Sequence, residues 1–302
     1  MNNGKRFKGV VVPMVTPFRD NGNIDEPAAV RITEYLMESG TIPFVLGTTG
    51  ELASIPLQQR VKLVKTVVTA AAGKTSVFAG ISDCVFSKSV ELAKKYFDLG
   101  VEVCVAHVPY YYPLTSDLLR RYFENLADAI PGYLMLYNIP ITTRISVPLD
   151  IIEALSYHPK IVGLKDSERD ENRLKQSAQI WKKRSDFCIF CGWNSQMSYA
   201  LAAGFDGIVP STANIIPMKY RLLYDATLNN DIDTYKRLQH ETDMISKIYQ
   251  NNRILSQSVP ALKILMSYLQ LCKPNVLPPL HLLGDMETRE IVDAFSKCIL
   301  EI

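Results

Sequence analysis

Cysteine is scarce in this chain. There are six in 302 residues, at positions 84, 104, 188, 191, 272 and 298. That density is far below a disulfide-stapled secreted scaffold, so the chain is expected to work in the reducing cytoplasm. Cationic runs are missing as well. Lys and Arg number 33 against 31 Asp and Glu, for a net charge of +2. No five consecutive residues are basic, and no nucleic-acid partner is expected. Long apolar runs are also absent. The longest uncharged stretch, 187–205, contains Asn194, Ser195, Gln196 and Ser198. It is a poor bilayer span, so no membrane partner is expected. Finally, no G-x-G-x-x-G occurs, which argues against an open dinucleotide-binding sheet.

What is present is a chain that is 47% hydrophobic, apolar enough to offset its ordering entropy by burial. Its start, Lys5-Arg6-Phe7-Lys8 followed by the apolar stretch 9–18, loosely mimics a secretion signal. Pro13 and Pro17 interrupt that stretch and no small-residue cleavage site follows, so it reads as a first core strand. Short β-branched or aromatic runs recur at 9–12, 43–46, 76–79, 101–105, 133–137, 161–165, 187–190 and 207–209. Their starts lie 20 to 34 residues apart, near the length of one strand plus one crossover helix. Most are apolar on both parities, as in a parallel sheet covered on both faces.

The segments between them space apolar residues by three and four, for example over 27–38, 56–72, 87–99 and 116–129. Gly40, Gly73, Gly100 and Gly132 follow these segments and suit helix caps or turns. Eight such units imply an α/β fold, a (β/α)8 TIM barrel. Beyond residue 218 the patterns are all helical. The expected organisation is a catalytic barrel over 1–230 and a C-terminal helical extension over 231–302.

Active residues of such a barrel lie at the C-terminal ends of its strands. Strand 2 ends in Gly47-Thr48-Thr49-Gly50-Glu51, and strand 4 runs into Pro109-Tyr110-Tyr111-Tyr112-Pro113. Strand 5 ends in Tyr137-Asn138-Ile139-Pro140, and strand 6 in Lys165-Asp166-Ser167. No strand end offers a set of His and carboxylates for a metal. By itself, Lys165 reads either as the solvated tip of a strand or as a Schiff-base nucleophile. The second role needs an uncharged amine. Desolvation by the barrel wall would supply one, provided Asp166 points to the opposite face, as strand geometry implies. Thr48 and Thr49 read as an ordinary turn or as hydroxyls and close backbone amides for a small carboxylate. Tyr137 reads as a core tyrosine or a proton carrier.

Together these motifs resemble the signatures of the dihydrodipicolinate synthase / N-acetylneuraminate lyase family. Pro13-Met14-Val15-Thr16-Pro17-Phe18 and Ser211-Thr212-Ala213-Asn214-Ile215-Ile216-Pro217 match it as well. The resemblance implies a class I, Schiff-base aldolase or lyase with no metal or organic cofactor. Lys165 would form an imine with the ketone of pyruvate or another 2-keto acid. Thr49 and the turn at Gly47 would hold the keto acid's carboxylate. Tyr137 would move protons, with Thr48 and Tyr111 completing a hydroxyl relay. The family's equivalent of Tyr111 comes from a neighbouring subunit, so a homo-oligomer is implied, a tetramer or a dimer. Gly192, Asn194, Val209 and Thr142 would line the rest of the substrate.

Two departures bear on that substrate. Dihydrodipicolinate synthases carry an arginine where this chain has Thr142, and a hydroxyl cannot replace a guanidinium fork. Arg144 stands where their motif has glycine. Sialate lyases carry an acidic pair where this chain has Trp193-Asn194-Ser195 after Gly192. A neutral lining favours cleavage of a 2-keto-3-deoxy sugar acid, or an N-acetylneuraminate-like acid, to pyruvate and an uncharged aldehyde. Condensation of pyruvate with aspartate semialdehyde is the alternative. Sugar-acid dehydration and a non-catalytic regulator are further ones, although a regulator would be expected to have lost part of the catalytic set.

Cys188-x-x-Cys191 is expected to place two core thiols on opposite faces of strand 7 rather than to form a redox or metal pair. His107 reads as a packed histidine or a pocket residue. Glu51 is expected to brace its turn or cap the next helix rather than act as a base.

Overall fold

The computed structural model describes residues 5–301. Eight parallel strands close into a barrel in chain order. They are β1 (Gly9–Pro13), β2 (Ile42–Val45), β3 (Phe78–Gly80), β4 (Val103–His107), β5 (Tyr133–Asn138), β6 (Ile161–Asp166), β7 (Cys188–Cys191) and β8 (Gly207–Ile208). β1 pairs in parallel with both β2 and β8, which closes the cylinder. All eight expected strands are present. β2 stops before Leu46 because Leu46 turns left-handed, with φ of 58°.

The helices are α1 (Glu26–Glu38), α2 (Leu57–Ala71), α3 (Phe86–Leu99), α4 (Ser116–Ala129), a single turn α5 (Pro140–Thr143), α6 (Leu149–Leu155), α7 (Glu171–Trp181), α8 (Met197–Ala203) and α9 (Pro217–Leu228). After them come α10 (Ile232–Gln250), α11 (Leu255–Tyr268) and α12 (Asp285–Glu301). Asp25, Thr115, Asp170 and Asp231 each accept a backbone N–H at a helix start. Each such cap contributes about 1 kcal/mol. Gly100 ends α3 in the left-handed region, as expected of a cap. Gly132 plays a different part: the Phe97 ring leaves no room for a Cβ there.

Strand alternation divides the core in two. Val11, Phe44, Phe78, Val103, Val105, Met135, Cys188, Phe190 and Val209 fill the barrel interior. Val10, Val12, Cys104, Ala106, Leu164 and Cys191 face the helices. This explains why the strands are apolar on both parities. It also separates Cys188, inside the barrel, from Cys191, outside it. No helix among the described residues is long and apolar enough to cross a membrane.

Candidate active site

One rung of the barrel brings Lys165 and Tyr137 side by side. His107 pairs with Tyr137, Tyr137 with Lys165, and Lys165 with Phe190 in the β4–β5–β6–β7 register. Val103 and Val105 lie in the barrel interior, four and two residues before His107. Met135 and Cys188 stand two residues before Tyr137 and Phe190 in the same way. The period of two therefore turns all four rung side chains toward the barrel axis.

Lys165 is 4% exposed. Its Nζ lies 3.9 Å from the centre of the Tyr137 ring and 5.0 Å from that of Phe44. No carboxylate of the described residues lies within ion-pair distance of it. Asp166, one residue on, faces the other way, where Arg173 Nε donates to its Oδ2 at 2.6 Å and Asn138 Nδ2 to its Oδ1 at 2.9 Å. Burial holds the Lys165 ammonium below its ordinary pKa, with Tyr137 pulling the other way.

The turn after β2 stands across from this lysine. It is bracketed by two left-handed residues, Leu46 and Glu51, each with φ of 58°. The Leu46 carbonyl then lies so close to β3 that a Cβ at Gly80 would run into it. Gly50 is hemmed in as well: a Cβ there would lie 3.0 Å from Met14 O and from Leu46 N. Strained backbone of this kind persists only where its surroundings fix it. Here Thr16 Oγ1 donates to Gly50 O at 2.6 Å, and Lys263 Nζ donates to Glu51 Oε1 at 2.6 Å. Leu277 N donates to the other Glu51 oxygen at 3.0 Å. Glu51 thus braces the turn, and its partners come from the C-terminal extension. Thr48 Oγ1 lies 3.3 Å from Tyr137 Oη, and Thr49 is buried beside it. Lys165, Tyr137 and Thr48 are therefore brought together.

Other expected residues are placed differently. Tyr111 is 74% exposed and stacks edge-on against Tyr112; neither Thr48 nor Tyr137 is hydrogen-bonded to it. Thr142 is exposed on α5, and its hydroxyl donates to Ile139 O at 3.2 Å. Arg144, also exposed, ends α5 in the left-handed region. Asn194 directs its amide at the segment after β8 and at α10, donating to Thr212 Oγ1 at 2.8 Å and to Ser246 Oγ at 2.9 Å. Gly192 sits where a Cβ would strike Ser167 Oγ, and its N–H donates to Asp166 O at 2.7 Å. Gly47 packs against the Phe44 ring. Val209 is buried at the top of the barrel interior. His107, left open on sequence grounds, joins the rung, with its ring 6.1 Å from that of Tyr137. The signal for it was the alternation Val103–Val105–His107. Among the described residues no cluster of three His, Cys, Asp or Glu side chains is arranged to hold a metal.

A closed (β/α)8 barrel with a desolvated lysine at the end of β6, a phenol beside it and a hydroxyl turn opposite defines a class of carbon–carbon lyase, the pyruvate-dependent class I aldolases. The profile of the dihydrodipicolinate synthetase family matches residues 6–297, and the chain belongs to that family. The structure of dihydrodipicolinate synthase from Bacteroides thetaiotaomicron superposes with a TM-score of 0.92 at 31% identity, covering 98% of this chain and 100% of that one. An uncharacterized DapA-like lyase of Thermofilum pendens is 29% identical over 300 residues, 98% of each chain. A 4-hydroxy-tetrahydrodipicolinate synthase of Pelobacter propionicus is 28% identical over 282 residues, 92% of this chain and 94% of that one.

Proposed function

We propose that the enzyme cleaves, or in reverse forms, a 2-keto-3-deoxy sugar acid through an imine on Lys165, giving pyruvate and a neutral hydroxylated aldehyde. The observation that carries the mechanism is the buried Lys165 amine, with no carboxylate of the described residues within ion-pair distance, against Tyr137. The free amine attacks the C2 ketone, and loss of water leaves a protonated imine. Tyr137 accepts the proton of the C4 hydroxyl while passing its own phenolic proton to Thr48, 3.3 Å away, as the C3–C4 bond breaks. The electron pair of that bond passes into the imine to give an enamine, and the aldehyde leaves. Protonation at C3 and hydrolysis then release pyruvate and restore the amine. Thr49 and the backbone amides of the Gly47 turn receive the carboxylate throughout. The neutral aldehyde is supported by Thr142 and by the uncharged Trp193-Asn194-Ser195 segment.

The catalytic unit is taken as the barrel over 1–230, with 231–302 as its brace. It acts in the cytoplasm as a homo-oligomer in which Tyr111 reaches a neighbouring subunit's site. The exposed aromatics Tyr110, Tyr111 and Tyr112 support that assembly.

A second reading, condensation of pyruvate with aspartate semialdehyde, is favoured by the names of the relatives and by the exposed Arg144 near the motif that would need a guanidinium. One set of assays separates the two. Borohydride with pyruvate is expected to fix an adduct on Lys165, read by peptide mass spectrometry. Release of pyruvate from a panel of 2-keto-3-deoxy acids supports the first reading. Silence on that panel with turnover of aspartate semialdehyde replaces it with the second.

A further inference from the structure

His107 has one nitrogen whose role is fixed and one that is not. Nδ1–H donates to the carbonyl of its neighbour Val108 at 2.8 Å. A carbonyl only accepts, so the proton of the neutral ring sits on Nδ1 and Nε2 presents a bare lone pair. No described residue hydrogen-bonds to Nε2. The ring is directed inward by the β4 alternation, one strand from Tyr137 and two from Lys165, and it lies between the Tyr137 ring at 6.1 Å and the Tyr110 ring at 6.4 Å. The backbone N–H of His107 donates to Ser82 Oγ at 2.8 Å, which fixes the end of the strand. The site thus has a rigid, preoriented acceptor beside the phenol, with no donor of its own to offer.

We infer that His107 is a specificity-determining residue, whose Nε2 accepts a hydrogen bond from a hydroxyl on the part of the substrate beyond the imine. A lone pair accepts from O–H and opposes a carboxylate, so the same atom selects a hydroxylated aldehyde and rejects an acidic one. Burial, with Lys165 adding to it, holds the imidazolium below its ordinary pKa, so the acceptor form is the one present at neutral pH. The inference rests on the imine reading above and names its substrate class: 2-keto acids bearing a free hydroxyl beyond C4.

The test uses the full-length enzyme and two substrates, a six-carbon 2-keto-3-deoxy acid with hydroxyls at C5 and C6 and its analogue lacking both. His107→Phe keeps a planar ring and removes the acceptor; His107→Gln restores an acceptor oxygen. Trapping of pyruvate on Lys165 by borohydride, read first, shows which variants fold and still form the imine. With wild type, kcat/KM should favour the hydroxylated acid. In His107→Phe that preference should fall about tenfold or more, with partial recovery in His107→Gln. If His107→Phe does not trap pyruvate, His107→Leu, which also removes the acceptor, takes its place. A preference that survives unchanged in whichever of these two acceptor-less variants traps pyruvate overturns the inference while leaving the imine reading intact. A wild-type enzyme that traps pyruvate but is silent on both acids overturns the substrate class, and the role of His107 with it.

Discussion

Lys263 Nζ lies 2.6 Å from Glu51 Oε1, and neither side chain is exposed to solvent at all. The two are 212 residues apart in sequence. One sits at the end of the hydroxyl turn after β2, the other in the middle of α11. The ammonium also donates to Asn275 O at 2.5 Å and faces the Phe18 ring at 4.3 Å. The extension is thereby fastened to the turn that carries Thr48 and Thr49.

Removing one member of such a pair leaves an uncompensated buried charge, at a cost of about 3–5 kcal/mol. Lys263→Met is therefore expected to unfold at markedly lower denaturant concentration than wild type, and Lys263→Met with Glu51→Gln to recover part of that loss. Where the single variant remains folded, its KM for the keto acid should rise more than its kcat falls, because the turn loses its anchor while Lys165 keeps its surroundings. An unchanged KM in a folded Lys263→Met enzyme would remove the positioning role.

The amine of Lys165 sets the dependence on pH. Its folded pKa lies below the ordinary value near 10.5, chiefly through burial. Imine formation needs the free base, so the rate of borohydride trapping at limiting pyruvate should climb as pH rises through that lowered pKa, and level off before 10.5. The same shift acts on stability. Between the folded and unfolded pKa values the unfolded chain binds more protons, so the charged lysine costs stability below that window and the cost fades as pH rises through it. Lys165→Met is expected to trap no pyruvate and to melt higher at neutral pH, by about 2–4 °C for each kcal/mol regained. A variant that melted no higher at neutral pH would show that the lysine is not desolvated.

The barrel was legible because its signal repeats. Eight short apolar runs, each one strand plus one crossover helix from the next, leave little choice of fold, and the alternation within each run sorts Cys188 inward and Cys191 outward. Strand ends were read less well. Leu46 belongs to the apolar run of β2 yet leaves the strand in a left-handed turn, with its carbonyl close against Gly80, a contact across strands that its own propensity does not announce. Lys165 could be placed at a strand end, but its desolvation depends on Phe44 and Tyr137, which arrive from other strands. The partner of Glu51 was invisible for the same reason: nothing local marks Lys263 as its ion pair. Asn194 was expected to face substrate as a polar residue after β7; its donors are instead drawn to Thr212 and Ser246, a contact set by where α10 crosses the barrel.

Tyr137 and Thr48 share a 3.3 Å hydroxyl contact and should behave as one relay. Tyr137→Phe is expected to lower kcat by about 10²- to 10⁴-fold, the range of a positioned acid–base group. Thr48→Val should cost less. The double variant should fall close to Tyr137→Phe alone, since groups that act as a unit are not additive. Steady-state kinetics of the three variants check this, and fully additive losses would separate the two hydroxyls.

Tyr111 is the member of the expected relay that a single chain leaves stranded, with its ring against Tyr112 and most of its surface in solvent. If it serves the site of a neighbouring subunit, its loss and the loss of Lys165 strike different active sites within one assembly. Tyr111→Phe and Lys165→Ala, each nearly inactive alone, should then complement each other when unfolded together and reassembled. A site built from an intact Lys165 and a neighbour's intact Tyr111 regains turnover, and in a randomly mixed pair about a quarter of sites have both. Kinetics of the mixture against the two separate refolded variants measure this directly, with sedimentation confirming that chains have exchanged. If exchange is complete and the mixture shows no more activity than the parents, Tyr111 acts on its own chain's lysine or on none.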